Sequence, residues 1–148
     1  MARMHSRKRG RSQSIRPLSK TPPPWVPLAP DEVENLVIKM AKEGMRPSMI
    51  GTVLRDSYGV PLVRSSTGKR LLKLLKDNNL APEVPEDLAN LIERARRMHI
   101  HLAKNRSDRY NRHKLQLVEA KIHRLLKYYK RIGAVPSDFQ VKSMYTYA

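Results

Sequence analysis

Helical periodicity dominates the hydrophobic pattern of the chain, and no segment shows the apolar–polar alternation of a β-strand. The first pattern begins at Pro30, which suits the first turn of a helix, and stops before Gly44. Its apolar positions recur every three or four residues: Val33, Leu36, Val37 and Met40. A second pattern begins at Pro47 and ends at Gly59. The sequence therefore predicts two short helices joined by a tight turn.

A leucine-rich stretch, "SSTGKRLLKLLKDNN", begins at residue 65. We expect Ser66 or Thr67 to cap a short helix. Its predicted buried face consists of four leucines: Leu71, Leu72, Leu74 and Leu75. The letters "TGK" do not complete a phosphate-binding loop, because Val63 stands at the first glycine position and Arg70 at the position of the magnesium-binding hydroxyl. Nucleotide hydrolysis is therefore excluded.

Two long amphipathic patterns follow. The first is predicted to run from Pro85 to about Lys104, and the second from about Asp108 to Arg131. Their apolar positions are Leu88, Leu91, Ile92, Ala95, Met98 and Leu102 in the first, and Leu115, Val118, Ile122, Leu125 and Tyr129 in the second. Only a few residues separate the two patterns, so the helices must fold back on each other as an antiparallel hairpin.

These patterns predict an all-α protein in four parts. A basic extended arm occupies residues 1–29, a small helical domain residues 30–60, a helical domain residues 61–131, and a C-terminal tail residues 132–148. In the third part a short helix precedes the long antiparallel helical hairpin, whose tip lies near residues 104–108. We expect no membrane-spanning helix, because no run of about 18 apolar residues is present. The basic N-terminus lacks the apolar stretch of a secretory signal.

Charge shifts attention from the fold to the partner. The chain has 30 Lys and Arg against 13 Asp and Glu, a formal net charge of +17. This balance favours nucleic acid as a partner, with an anionic membrane surface as the second choice. Residues 1–20 carry no acid and too little apolar surface to fold alone. We interpret them as an arm that follows phosphates, with a solubilising tail as the alternative. The arm residues predicted to contact RNA are Arg7, Lys8, Arg9 and Arg11.

The stretch "HIHLAKNRSDRYNRHK", residues 99–114, contains the residue types of metal and catalytic sites. His99 and His101 stand two apart, about 200° around a helix axis, so they cannot share one ion. No Glu stands at H-E-x-x-H spacing. A group made of Ser107, His101 and Asp108 would lie at a thin hairpin tip without an oxyanion-hole signature. We therefore predict no enzyme, no catalytic residue, no metal and no cofactor.

The same stretch suits an acidic partner. Its cations near the predicted tip are Lys104, Arg106, Arg109, Arg112 and Lys114. Short side chains such as His, Asn and Asp can reach the shallow minor groove of A-form RNA. Asp108 is an acid among cations, and it either pairs with Arg109 or Arg112 or accepts a hydrogen bond from a guanine amino group or a 2′-hydroxyl. His101 is either an RNA contact or a polar residue under the turn. Tyr128 is free to stack on a base or ribose.

The segment "HLAKNRSDRYNRHKLQLVEAKIHRLLKYYKR" resembles the hallmark of the small-subunit ribosomal protein fifteen family. The matching positions are His101, Asp108, Arg112 and the Leu125-Leu126-x-Tyr128 ending, and Asn111 takes the place of the family's serine. The segment "PSMIGTVLRDSYGV" and the tryptophan in the proline-rich region resemble the archaeal and eukaryotic form. Arg109 and Tyr110 replace two histidines of the bacterial pattern.

This resemblance implies a non-catalytic protein of the cytoplasmic small ribosomal subunit that folds and holds a three-way junction of the ribosomal RNA. It also implies neighbouring ribosomal proteins as partners, and neither membrane nor DNA. His101, Asp108 and Asn111 would read the shallow groove of one RNA helix. Arg94 and Tyr128 would lie nearer the junction.

Two other functions stay open from the residues alone. A DNA-binding regulator would use residues 46–59 as a recognition helix, on whose exposed face only Arg55 is a base-reading residue type. A scaffold for other proteins would use Trp25, the middle helices and the C-terminal segment "SDFQVKSMYTYA".

Overall fold

The structure, a computed structural model, describes residues 21–140, so the predictions for residues 1–20 and 141–148 lie outside the described residues. Its described part contains six helices and no strand, which confirms the all-α class there. The helices are α1 (Pro30–Lys42), α2 (Pro47–Ser57), α3 (Val63–Thr67), α4 (Leu71–Asp77), α5 (Glu86–Lys104) and α6 (Arg109–Arg131). Among residues 21–140, no helix combines the length and the apolar character needed to cross a membrane.

Proline and glycine set the ends of several helices. α1 and α2 begin at Pro30 and Pro47, where the missing amide hydrogen is not needed because first-turn amides have no partner within the helix. Gly44 follows α1 with φ +83°, and Gly133 follows α6 with φ +68°. Glycine adopts this left-handed backbone without the strain that a Cβ would cause. These four positions explain why the sequence patterns located the helix ends closely.

The expected cap of the leucine-rich helix was wrong. Ser66 and Thr67 belong to a separate short helix, α3, which the sequence patterns did not reveal. Gly68, with φ +74°, ends that helix. The residue before α4 is Arg70, and its side chain makes no capping hydrogen bond.

The first four helices share one hydrophobic core. Its buried residues are Val33, Val37, Met40, Ile50, Leu54, Val60 and Leu75. α3 and α4 therefore pack with α1, and the short helix that the sequence placed with residues 61–131 contributes Leu75 here. Leu72 of α4 is 53% exposed, so its predicted burial was wrong. The reason is that α4 presents a single face to α1 and α2, and Leu72 lies on the other side.

The hairpin of α5 and α6 has a core of its own. Its buried residues are Leu88, Ile92, Ala95, Leu115, Val118, Ile122 and Val135. The predicted stripes of both long helices supply all of these except Val135, which follows α6. The antiparallel hairpin is thereby confirmed, and its two ends lie at the α5–α6 turn and at the junction with the first four helices.

Polar side chains connect the first four helices to α5. The Ser48 amide donates a hydrogen bond of 2.9 Å to the Glu86 carboxylate, and the Ser48 hydroxyl donates to the same group. Arg46 donates to the side chain of Asn90 and, over 3.1 Å, to Glu93. The bond from Arg46 holds the pKa of Glu93 below its ordinary value. These contacts join the N-terminus of α2 to the first two turns of α5.

Leu88→Ala should lower the free energy of unfolding by about 2–5 kcal/mol, since it leaves a cavity in the hairpin core. Leu72→Ala is the matched control, because it removes the same atoms from an exposed position; we expect a change of about 0.5 kcal/mol or less. Urea denaturation of both variants measures the difference. Equal losses of stability would contradict the assigned burial of these two leucines.

Candidate nucleic-acid interface

Asp108 caps the N-terminus of α6 at the hairpin tip. Its Oδ1 accepts a hydrogen bond of 2.9 Å from the backbone N–H of Asn111, and its Oδ2 accepts one of 2.7 Å from the side-chain Nδ2 of the same residue. A carboxylate in this position accepts from a backbone amide that has no partner within the helix. Its negative charge is also stabilised by the positive end of the helix dipole. The same side chain that starts the helix therefore also fixes the orientation of Asn111.

His101 reaches the same carboxylate from the end of α5. Its Nε2 lies 3.0 Å from Asp108 Oδ2, and its Nδ1 lies 3.3 Å from the side-chain nitrogen of Asn105. A carboxylate can only accept, so a hydrogen bond between these two side chains requires the proton on Nε2 of His101. Asp108 thus joins the two helices through a pair of side chains, His101 and Asn111.

One of the two sequence-based alternatives for Asp108 was an ion pair with Arg109 or Arg112. No ion pair between Asp108 and either arginine is present among the described residues. Arg112 instead donates to the backbone carbonyl of Arg106. The pKa of Asp108 is lowered to about 2, chiefly by the hydrogen bond from the Asn111 amide and next by the bond from His101. The carboxylate is therefore charged at neutral pH, and hydrogen bonds rather than an arginine stabilise that charge.

An open concavity of about 430 Å³ lies beside the hydrogen-bonded group of Asp108, His101 and Asn111. It is lined by Arg94, Arg97, Met98, His101 and Asn111. The structure therefore brings together three predicted residues, Arg94, His101 and Asn111. Arg97 also lines this concavity and was missed by the sequence interpretation, although its position three residues after Arg94 and four before His101 places it on the same helix face. Glu93 lies 3.4 Å from Arg97 and orients it from one turn away.

The remaining cations of the tip are distributed around the turn and the first turns of α6. Lys114 stacks over the ring of Tyr110, with its ammonium nitrogen 5.0 Å from the ring centre. Tyr110 is 69% exposed, so the pair forms a flat, cationic surface. Lys104 is the last residue of α5, Arg106 lies in the turn, and Arg109 is the first residue of α6. All three lie within four residues of Asp108 in the sequence.

Tyr128 does not belong to the tip. It follows Asn111 by 17 residues on α6, about 26 Å at the usual rise of 1.5 Å per residue. Tyr128 is 46% exposed, and the Arg131 guanidinium lies 5.9 Å from its ring centre. Its neighbour Tyr129 turns inward and donates 2.8 Å hydrogen bonds to Asp87. Burial, followed by that bond, raises the pKa of Tyr129 to about 12. Of these two adjacent tyrosines, the exposed one is therefore Tyr128, the residue that the sequence predicted to stack.

Residues 21–140 contain no group of three His, Cys, Asp or Glu side chains arranged to hold a metal ion. His99, the other histidine at the end of α5, lies 3.1 Å from Glu119 of α6 and joins the two helices on another face. The four predicted arm residues, Arg7, Lys8, Arg9 and Arg11, lie outside the described residues.

Two family models together match nearly the whole chain. The family described as Ribosomal S13/S15 N-terminal domain matches residues 1–60, and the family described as Ribosomal protein S15 matches residues 69–141. A "Small ribosomal subunit protein uS15" from Methanocella arvoryzae is 48% identical over 139 residues, 94% of this chain and 91% of the relative. The chain belongs to the ribosomal protein S15 family. A protein of the same name from Cenarchaeum symbiosum is 47% identical over 144 residues, 97% of each chain. The resemblance to archaeal members of the family is thereby confirmed.

The low pKa of Asp108 predicts a specific dependence of stability on pH. Its folded-state pKa, about 2, lies below the ordinary value of 3.8. The carboxylate therefore stabilises the folded state above the ordinary value, and this contribution is lost as the pH falls through about 2. Wild-type protein should lose more stability between pH 5 and pH 2 than Asp108→Asn, whose amide does not titrate. Denaturant unfolding across this range measures both, and parallel curves would contradict the prediction.

Proposed function

We propose that this chain binds small-subunit ribosomal RNA at a three-way junction and holds the junction in its folded form. As a member of the ribosomal protein S15 family it is a structural, non-enzymatic protein of the small ribosomal subunit. The observation that carries the finer proposal is the hydrogen-bonded group of Asp108, His101 and Asn111 at the hairpin tip. This group places a carboxylate, an imidazole and a side-chain amide together among the cations of the tip, so the surface offers hydrogen-bonding groups as well as positive charge.

The tip group presents both donors and acceptors to an RNA helix. Asp108 Oδ1 accepts one hydrogen bond within the described structure, which leaves it able to accept another from a guanine amino group or a 2′-hydroxyl. Asn111 and His101 line the adjoining concavity beside this carboxylate. The wide, shallow minor groove of A-form RNA exposes the matching groups. We therefore infer that these three side chains read one RNA helix.

Cations around this group supply affinity and position. Arg94 and Arg97 line the same concavity and can pair bidentately with phosphate oxygens. The other predicted phosphate contacts at the tip are Lys104, Arg106, Arg109, Arg112 and Lys114. The bond from Arg112 to the Arg106 carbonyl limits the freedom of the Arg112 side chain, so less ordering is needed on binding.

The separation of Tyr128 from the tip supports a junction rather than a single duplex. About 26 Å of helix lies between Asn111 and Tyr128. An exposed tyrosine with Arg131 beside its ring can stack on a base or ribose of another RNA arm. Contacts at both ends of α6 would hold two arms at a fixed distance.

A DNA-binding regulator finds no support in α2. Arg46 and Ser48, at the start of the proposed recognition helix, are bonded to α5. Arg55, its one base-reading side chain, forms a 2.7 Å ion pair with Asp56. The start of α2 is therefore held against α5, and Arg55 alone remains on this helix to read bases.

Asp108→Ala should weaken binding to a small-subunit three-way junction about tenfold, although the variant has a higher net charge. The physical reason is that His101 and Asn111 lose the acceptor that orients them. Asp56→Ala is the matched control, since it makes the same change of charge on α2 and should leave affinity equal or slightly higher. Filter binding at one fixed salt concentration compares the variants. Tighter binding by Asp108→Ala would overturn the proposed reading of RNA by this group.

Joint replacement of Lys8, Arg9 and Arg11 by alanine should lower the affinity for any RNA. It should also reduce the slope of log affinity against log salt, because fewer counterions are released when fewer phosphates are neutralised. Titrations at four salt concentrations give the slope. An unchanged slope would remove these three residues from the RNA contact, and Arg55→Ala serves as a control for loss of a cation elsewhere.

A further inference from the structure

A second concave surface, far larger than the one at the tip, lies between the first four helices and the base of the hairpin. This groove has a volume of about 790 Å³. Its lining comes from α2, α4, the segment between α4 and α5, the start of α5 and the end of α6. Because every one of these parts contributes, the groove exists only when the two helical units are joined as the bonds of Ser48 and Arg46 join them.

The groove is acidic in a strongly basic protein. Its carboxylates are Glu83, Glu86 and Asp87, and Lys76 is the only lysine or arginine among its lining residues. Glu86 is bonded by the amide and hydroxyl of Ser48, and Asp87 by the hydroxyl of Tyr129. These donors are neutral, so neither carboxylate is paired with a cation among the described residues. Glu83 has no hydrogen-bond or ion-pair partner among residues 21–140.

Apolar side chains also line the groove beside the carboxylates. Leu72, which is 53% exposed, contributes to it together with Leu71. Three prolines also line the groove: Pro47, Pro82 and Pro85. A proline has no amide hydrogen to offer, so this wall has few donors for a phosphate. Exposed leucine beside carboxylates suits a side chain with an apolar stem and a cationic head, as lysine and arginine have.

We propose that this groove binds an extended, Lys- or Arg-containing segment of a neighbouring protein of the small ribosomal subunit. The inference goes beyond RNA binding and rests on the proposed place of the chain in that subunit. The cationic heads would pair with Glu83 and its neighbouring carboxylates, and the stems would cover Leu72 and the prolines. Charge complementarity of this kind selects partners, because like charges brought together are strongly unfavourable.

The opposite charges of the two concave surfaces argue for two different partners. The concavity at the tip contains Arg94 and Arg97 and no carboxylate among its lining residues, which suits phosphate. The groove has three carboxylates against one lysine, which repels phosphate. One nucleic acid therefore does not suit both surfaces, whereas RNA at the tip and a basic polypeptide in the groove satisfies each.

Site-specific photo-crosslinking in purified small subunits tests the proposal. A photoreactive phenylalanine replaces Leu72 in the groove or, as a control, Tyr58, which is 39% exposed and does not line it. Mass spectrometry then identifies the joined peptides. We expect the Leu72 position to join a net-positive segment of another small-subunit protein that the Tyr58 position does not join. Adding Glu83→Lys should lower the yield of that adduct about threefold or more. A second probe at Lys76 repeats the test from another wall of the groove.

Several results would overturn this inference. Adducts to ribosomal RNA, to residues 1–20 or 141–148 of the same chain, or to a neutral or acidic segment would assign the groove to another occupant. Absence of any adduct from both probes, or a yield that Glu83→Lys leaves unchanged, would also contradict it. Junction binding is measured on the same variants. If the variants bind the RNA junction normally but no groove contact is found, the groove inference alone is overturned. If the wild-type chain does not bind the junction, the proposed function is overturned instead.

Discussion

The hydrogen bonds of Asp108 hold the tip of the hairpin together. This carboxylate starts α6 by accepting from the Asn111 amide, and it reaches back to His101 at the end of α5. One side chain thus caps the second long helix, connects it to the end of the first and orients the polar groups of the tip. Because the pKa of this carboxylate is lowered to about 2, the group remains a charged acceptor for these hydrogen bonds at neutral pH. The tip is therefore formed before any partner arrives.

At the other end of the hairpin, a second concave surface lies at its base. The core of α5 and α6 keeps the two ends of the hairpin at a fixed distance, with the arginine-lined concavity at one end and the acidic groove at the other. The bonds from Arg46 and Ser48 to α5 set the first four helices against the base. The fold thus separates surfaces of opposite charge, which allows a protein of net charge +17 to present an acidic site.

Much of the fold could be predicted because local rules determine it. Proline and glycine mark the ends of α1, α2 and α6, and the apolar spacing of α5 and α6 identifies nearly all of the hairpin core. Long-range polar contacts leave no such periodic signal. The hydrogen bonds of Asp108 to His101 and Asn111 were therefore not foreseen, nor were the place of Arg97 beside them and the bonds between α2 and α5. The exposure of Leu72 was also not foreseen. Only one face of α4 packs against other helices, and the apolar pattern of a short helix does not tell which of its leucines lie on that face.

Competition binding of the wild-type chain at moderate salt tests the central claim, that the preformed tip reads RNA structure rather than phosphate charge. The labelled probe is a small-subunit three-way junction. The competitors are unlabelled junction, the same RNA with one arm deleted, and a DNA duplex with an equal number of phosphates. The account predicts that the intact junction competes at least about tenfold better than either alternative, a difference of roughly 1.4 kcal/mol. Equal competition by all three would contradict it, because charge alone would then explain the binding.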